Sequence, residues 1–301
     1  MRTISWPGAK YRALDDLLRW CPQGSFGAMC EPFFGSGALT LALADRIEGP
    51  VFVAEANDPL RNWWRWALAD VDSLVVRIAE YRDMWSGAAT HRAEFDTMRQ
   101  TWNEMARAEP VTMDTAALLW CLIYASTNNL ARFNRRGGYN QTWGQGRAIP
   151  DPQQVITPDA RRRIQSMAPT TKLFDDFSAA LLAFLDFLDE GGTGVCYLDP
   201  PYVLEAGMYD ANAWGVGQLT RLMDFIEGLE ARAAWWLYTD YMAKGDAAHP
   251  YAHALTRFQQ VALRTTRDAR PTGASRRSSE VLTVGTVVEA RTHRLFEEVV
   301  K

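Results

Sequence analysis

The order of strand-like and helix-like segments constrains this chain more than any other feature. Ala28 to Glu31 is an apolar run of strand length that breaks into the glycine turn "PFFGSG", and Ala38 to Asp45 then has helical composition with neither Gly nor Pro. Val51 to Ala54 repeats the strand pattern and ends in the turn formers Asn57, Asp58 and Pro59. After a long interruption the order returns. "FSAALLAFLDFLDEGG" reads as a helix with Ser178 as N-cap and Gly191 as stop, followed by a strand from Val195 to Leu198. A helix from about Gly217 to Ala231 then leads to a strand in "AAWWLYTD". Parallel strands need crossover connections, which helices supply, so these units predict an α/β fold with a mostly parallel sheet covered on both faces. Two last strand-like runs, "FQQVALR" and "EVLTVGTVV", predict an antiparallel pair at one edge.

The interruption is helical. From Arg61 to about Ser126, apolar residues recur at helical spacing in "NWWRWALADVDSLVVRIAEY" and "TAALLWCLIYAS". Trp63, Trp64 and Trp66 fall on this pattern and read as core, whereas Arg161, Arg162 and Arg163 read as a solvated helix face. Behind the helices, Thr127 to Arg147 carries Arg132, Arg135, Arg136 and Arg147 with no acidic residue. A second basic stretch, Arg264 to Arg277, holds five arginines, Arg276 and Arg277 among them, against Asp268 alone. Both are rich in Gly, Ser, Thr or Asn, which predicts exposed loops or hairpins. On a body with a formal net charge of -4, two such loops predict a localised footprint for a polyanion.

At 301 residues and 48% hydrophobic, the chain can bury one large core, or a core plus a smaller domain, without covalent staples. Cys21, Cys30, Cys121 and Cys196 are scattered without a C-x-x-C pair, and His91, His249, His253 and His293 lack metal spacing, so no metal and no disulfide framework is expected. The N-terminus lacks a secretion signal and no apolar run is long enough to span a bilayer. A cytoplasmic protein without membrane contact is the expectation.

In doubly covered sheets, ligands sit beyond the carboxyl ends of the strands, near the point where strand order reverses. That rule gathers "PFFGSG", Glu55, "DPPY" and Asp240 on one rim. Gly35 and Gly37 permit close backbone approach, and Glu55 stands where a carboxylate would bind ribose hydroxyls, so a nucleoside-bearing cofactor is expected. In "DPPY", Pro200 and Pro201 fix their own backbone angles and push Asp199 and Pro200 out of the helical region. The Asp199 carboxylate and nearby carbonyls are thereby held as stiff acceptors, which suits an exocyclic amine. Acceptors that favour tetrahedral nitrogen free its lone pair to attack an electrophile. Tyr202 would offer a face on which a base stacks.

Five blocks carry a resemblance. "WPGAKY" (Trp6 to Tyr11), "EPFFGSG" (Glu31 to Gly37), "AEANDPL" (Ala54 to Leu60), "ARFNRRGGYNQTWG" (Ala131 to Gly144) and "DPPY" (Asp199 to Tyr202) resemble, in that order, the alpha-class DNA adenine methyltransferase (Dam-like) family. The likeness spans nearly the whole chain. It implies a Rossmann-like methyltransferase fold, residues 1–60 and 151–301, interrupted by a target-recognition domain of helices and a β hairpin, residues 61–150. The implied activity is site-specific transfer of a methyl group from S-adenosylmethionine to the N6 amine of a flipped adenine in double-stranded DNA.

The resemblance also implies roles. Trp6, Lys10, Phe33, Gly35, Gly37, Glu55, Asp176, Phe177 and Asp199 would surround S-adenosylmethionine, with Glu55 on the ribose and Asp176 on the amino edge of the cofactor adenine. Asp199 and the Pro200 carbonyl would hold the target amine, stiffened by Pro201, while Tyr202 stacks on the base. Asn128, Leu130, Arg132 and Asn134 fall where family members contact bases, and Arg136 where they contact phosphate. Ser5, Thr127 and Thr142 depart from the residues of GATC-reading members and argue against that target. A cognate restriction endonuclease is a candidate partner. Two other readings are an RNA adenine methyltransferase and a non-catalytic nucleic-acid-binding protein that keeps the fold.

Overall fold

The computed structural model describes residues 2–202, 204, 214–244, 247–263 and 280–288. The first part of the chain forms α1 (Leu14–Leu18), β1 (Ala28–Glu31), α2 (Ala38–Leu43) and β2 (Val51–Ala54). The helical stretch is α3 (Asp58–Met84), α4 (Arg92–Ala108), α5 (Met113–Ala125), α6 (Pro152–Val155) and α7 (Pro158–Met167). Then come β3 (Thr171–Phe174), α8 (Phe177–Asp189), β4 (Gly194–Leu198), α9 (Val216–Ala231) and β5 (Trp235–Tyr241). A small hairpin, β6 (Ala243–Lys244) and β7 (Ala247–Ala248), precedes α10 (Ala252–Leu255), β8 (Gln259–Ala262) and β9 (Glu280–Val284).

The sheet has seven strands in the order β3-β2-β1-β4-β5-β9-β8. β1 pairs in parallel with both β2 and β4, and β4 with β5. β9 runs antiparallel to β5 and to β8, so the last two strands form the expected edge pair. β1 and β2 are buried at every position, as strands covered on both faces must be. β3 was not legible beforehand: "TKLF" is short, carries Lys172 and alternates only weakly between exposed and half-buried positions.

Chain contacts divide the protein into two compact units. One comprises Met1–Tyr11, Phe34–Asp45 and Glu55–Asp175. Its centre is the pair α3 and α5. Asn57 caps α3 by accepting from Leu60 N, Pro59 follows at the first turn, and Trp63, Trp64, Ala67, Val71, Leu74, Val75 and Ile78 face inward at helical spacing. The helix kinks at Asp70 (φ -161°, ψ 86°), whose carboxylate caps the second half by accepting from Ser73 N at 3.0 Å and Ser73 Oγ at 2.6 Å. α5 is buried from Thr115 to Ala125, on all its faces, so its termination must be internal too: Thr112 and Thr115 form a reciprocal capping box. Trp63 and Trp64 are fully buried, as read from their spacing, while Trp66 is half-buried. Arg161 to Arg163 are not a free solvated face. Arg161 pairs with Asp72 at 2.9 Å, and Arg162 and Arg163 share Asp45 and Asp159, because α7 presents them to acidic side chains of the same unit.

The second unit comprises Arg12–Phe33, Arg46–Ala54 and Asp176–Lys301. Its register sets Cys30 beside Cys196 and Leu198 beside Tyr238, so β1, β4 and β5 end at the same edge of the sheet. α8 begins earlier than expected. Its N-cap is Asp176, which accepts from Ser178 N at 2.9 Å, and Ser178 lies inside the first turn. Gly191 (φ +91°) does end it. All four cysteines are free and buried; burial pushes the Cys21 thiol up to about 12 and the others have no exposed sulfur, which leaves them chemically quiet. Among the described residues no helix is long and apolar enough to cross a membrane, and no group of His, Cys, Asp and Glu could hold a metal ion.

Candidate active site

Within the first unit, the turn after Phe34 is built by backbone angles that only glycine adopts freely. Gly35 and Gly37 lie at φ +47° and +63°, and Gly37 N closes the turn on Phe34 O at 2.7 Å. A Cβ at Gly37 would stand 2.8 Å from the Phe34 ring and 2.9 Å from Trp64, so the close approach there is to protein. At Gly35 a Cβ would meet only Trp6, at 3.5 Å. The indole N–H of Trp64 donates to Gly35 O at 2.8 Å, a supporting role that its place in an apolar stripe does not announce. Lys10 is buried and donates to Gly8 O at 2.9 Å.

Glu55 closes this turn from the other side. Its Oε2 accepts from Gly35 N at 3.0 Å, its Oε1 from Asn57 N at 2.8 Å, and its backbone carbonyl from Arg61 at 2.7 Å. The residue is only 9% exposed. Burial pushes its carboxyl up to about 7, against the opposing pull of the Asn57 and Gly35 N–H groups and of Arg61. A buried carboxylate with its oxygens ordered by two backbone donors can accept further from a vicinal diol.

Within the second unit, Phe33 and Phe177 stack with centroids 5.2 Å apart, and Trp214 stands edge-on to both at 5.2 and 5.5 Å. Arg221 lies over Phe177 at 5.5 Å and donates to Ser178 Oγ at 2.6 Å. The exposed Asp176, whose Oδ1 caps α8, precedes this aromatic group directly. Trp214 and Arg221 were not singled out from sequence; only their ring and guanidinium chemistry, not their spacing, relates them to Phe177.

"DPPY" follows β4 without a cis peptide bond among the described residues. Asp199 Oδ1 accepts from Thr239 Oγ1 at 2.7 Å and lies 3.2 Å from the Tyr202 hydroxyl. Thr239 in turn meets the Tyr197 hydroxyl at 3.1 Å, which gives a donor chain Tyr197 to Thr239 to Asp199. The Tyr202 hydroxyl also donates to Glu280, and its ring stands edge-on to Tyr241 at 4.9 Å. Burial, with Asp199 and Glu280 nearby, holds the Tyr202 phenol well above its ordinary value, so it stays protonated. Asp240 leaves the same sheet edge, yet its carboxylate turns inward rather than onto the rim. It takes hydrogens from Tyr241 N at 2.6 Å and Tyr238 Oη at 2.8 Å, and meets His249 Nε2 at 3.2 Å, all buried. His249 Nδ1 accepts from Tyr251 N at 3.1 Å, which leaves the ring hydrogen on Nε2 for Asp240.

A glycine turn braced by a buried carboxylate, followed later by a proline-stiffened aspartate, matches a known family along the chain. The family model for D12 class N6 adenine-specific DNA methyltransferase covers residues 6–263. This chain belongs to that family. It is 24% identical over 246 residues to the DNA adenine methylase of Escherichia coli (strain K12), covering 76% of each chain. It is 24% identical over 243 residues to the DNA adenine methylase of Salmonella typhi, covering 75% of each.

For an adenine-specific DNA methyltransferase, the basic segment behind α5 is the next point of interest, and it folds within the first unit as a hairpin-like loop. Thr127 N donates to Thr142 O at 2.9 Å, Asn140 N to Arg132 O at 2.9 Å and Asn134 N to Gly138 O at 2.8 Å. Asn128 and Asn129 take positive φ, +60° and +52°, where asparagine is tolerated best after glycine. Asn134 Oδ1 accepts from Arg136 N at 2.9 Å and Gly138 N at 3.1 Å, so this side of its amide builds the tip of the methyltransferase loop. Arg132 is exposed and braced by Asn140, through Nε to Oδ1 and Nη2 to O, each at 3.0 Å. Arg136 is exposed and Leu130 half-buried. Arg276 and Arg277 lie outside the described residues.

Proposed function

We propose that this methyltransferase takes its methyl group from S-adenosylmethionine and delivers it to N6 of an adenine flipped out of double-stranded DNA. The observation that carries the reading is the ordered acceptor at Asp199: a carboxylate fixed by proline on one side and by Thr239 on the other. The chain's donors and acceptors fit the cofactor. Glu55 offers ordered, buried oxygens to ribose hydroxyls, Phe33 and Phe177 offer apolar ring surface to a purine, and Asp176 offers an exposed carboxylate to its amino edge. Trp6, Lys10, Gly35 and Gly37 keep the roles the family resemblance gives them. When bound, S-adenosylmethionine supplies a methyl group already made electrophilic by its sulfonium.

The chain's own task is to orient and to exclude water. Asp199 and the Pro200 carbonyl accept hydrogen bonds from the amine, which localises the nitrogen lone pair toward the methyl carbon. Pro201 keeps the pair stiff. Tyr202 gives the extruded base a ring to pack against. Once N6 has received the methyl group, one amine proton would leave through Asp199 to solvent. Residues 61–150 act in this reading as the target-recognition domain, with Asn128, Leu130, Arg132 and Asn134 toward bases and Arg136, Arg276 and Arg277 toward phosphates. The working compartment is the cytoplasm, and a cognate restriction endonuclease is the candidate partner.

The experiment offers tritiated S-adenosylmethionine with unmodified duplex DNA, single-stranded DNA or structured RNA. Label recovered as N6-methyladenine from the duplex supports the reading. Label in RNA alone favours the RNA enzyme, and a protein that fails to bind the cofactor at all is the non-catalytic binder.

A further inference from the structure

The N-terminal segment and both ends of the basic loop meet on one residue, Asn129. Its side-chain oxygen accepts from Arg147 Nη1 at 3.0 Å, and its backbone carbonyl accepts from Ser5 Oγ at 2.8 Å. The segment before Ser5 is anchored again by Trp120, whose indole N–H donates to Thr3 O at 2.9 Å. These bonds bring Arg2 and Arg147 to one cleft of about 530 Å³ within the first unit, whose lining includes Tyr124, Asn129, Gln154 and Thr157. Both arginines are exposed, and among the described residues no acidic side chain lines the cleft. Nearby Asp151 turns its carboxylate to cap α6, accepting from Gln153 N at 2.9 Å. Arg147 is held by an amide oxygen, and Arg2 lies over the Tyr11 ring at 5.7 Å; both partners orient a guanidinium without cancelling its charge. Burial holds the Tyr124 phenol above its ordinary value, so it offers a neutral hydroxyl to the same space.

Two oriented guanidinium groups with hydroxyl and amide donors around them suit the oxygens of a phosphate. We propose that this cleft seats one backbone phosphate of duplex DNA, gripped by Arg2 and Arg147, with Asn129 tying that grip to the loop. The inference rests on the reading that the loop faces DNA. Asn129 stands between Asn128 and Leu130, the residues assigned to bases, so a phosphate in the cleft is fixed at the root of the element that reads sequence. The grip thus sets where along the backbone the loop lands. It differs from the contact assigned to Arg136 at the loop tip, since it is concave and draws one of its two cations from the N-terminal segment.

The test scans the duplex word that the enzyme methylates with single methylphosphonates, each removing the charge of one phosphate. Binding is measured for the parent, Arg2→Ala, Arg147→Ala and the double variant. The parent is expected to lose about tenfold in affinity at one position. The double variant is expected to lose as much on unsubstituted DNA, to show a salt dependence lower by about one phosphate contact, and to lose nothing further at that position. Its affinity for S-adenosylmethionine is expected to stay parental. Should Arg147→Ala disturb the loop, Arg2→Ala, which leaves the bond between Arg147 and Asn129 in place, is read by the same scan. Additive losses at every position, or no loss in the double variant, overturn the proposal. So does calorimetric binding of inorganic phosphate that needs both arginines while no DNA position couples to them, because the cleft then takes a free anion. A parent that methylates adenine without a coupled position refutes the cleft alone, whereas a parent that binds no duplex refutes the reading beneath it.

Discussion

Thr239 donates its hydroxyl to Asp199 Oδ1 over 2.7 Å while meeting Tyr197 at 3.1 Å, so an aspartate at the end of one strand is aimed by a threonine on the next. Hydrogen bonds to ionised groups are worth about 1.5–3 kcal/mol, and this one fixes a direction as well. Thr239→Val keeps the volume and deletes the donor. The expected outcome is about a tenfold fall in single-turnover rate with little change in substrate affinity, and recovery in Thr239→Ser. A Thr239→Val enzyme with the parental rate would refute the part given to Thr239 in aiming Asp199.

The raised carboxyl of Glu55 links cofactor binding to pH. Above about 7 it is ionised and accepts fully; as pH falls below 7 it gains a proton and loses acceptor strength. Affinity for S-adenosylmethionine is therefore expected to weaken about tenfold from pH 8 to pH 6, and Glu55→Gln to flatten that dependence. The stability effect has the opposite sense. A carboxyl raised in the folded state contributes its full stability below its ordinary value of 4.5 and loses it as pH rises through about 7. The melting-temperature difference, Glu55→Gln minus parent, should thus be more positive at pH 8 than at pH 5, and calorimetry on the cofactor-free protein checks it.

The basic loop separates two kinds of contact. Arg132 is braced by both the side chain and the backbone of Asn140, as a group that must present a fixed edge would be, whereas Arg136 is exposed at the tip. Arg132→Ala is expected to relax sequence preference, with about 1–3 kcal/mol lost only on the preferred site. Arg136→Ala should weaken binding to all duplexes alike and reduce the salt dependence by about one phosphate contact. Titrations against a randomised duplex pool at two salt concentrations distinguish them, and exchanged phenotypes would reverse the assignment.

Much of the fold was legible because its elements are local. β1 and β2 match the apolar runs Ala28 to Glu31 and Val51 to Ala54, since buried parallel strands are apolar throughout. β3 and the β6–β7 hairpin were missed, being edge or two-residue elements whose sequences carry no periodicity. The helix start at Asp176 was displaced to Ser178 because both are good caps and only the packed backbone decides. In the candidate site, Asp199 is marked in the sequence by the prolines that follow it, and Glu55 by its place after the second strand, 20 residues beyond Gly35. Thr239 and Trp64 are not, because their partners Asp199 and Gly35 lie 40 and 29 residues away. A threonine in a strand and a tryptophan in an apolar stripe look ordinary until the fold brings each to its own partner.

The most direct test of the whole account is to map methyladenine by single-molecule sequencing on unmodified DNA treated with S-adenosylmethionine and either the parent protein or Asp199→Ala. The parent is predicted to place N6-methyladenine at one short recognition word. Asp199→Ala is predicted to place none, a loss of at least about a thousandfold, while still binding the cofactor. Methylation by Asp199→Ala at the parental rate, or parental modification of a base other than adenine, would contradict the account.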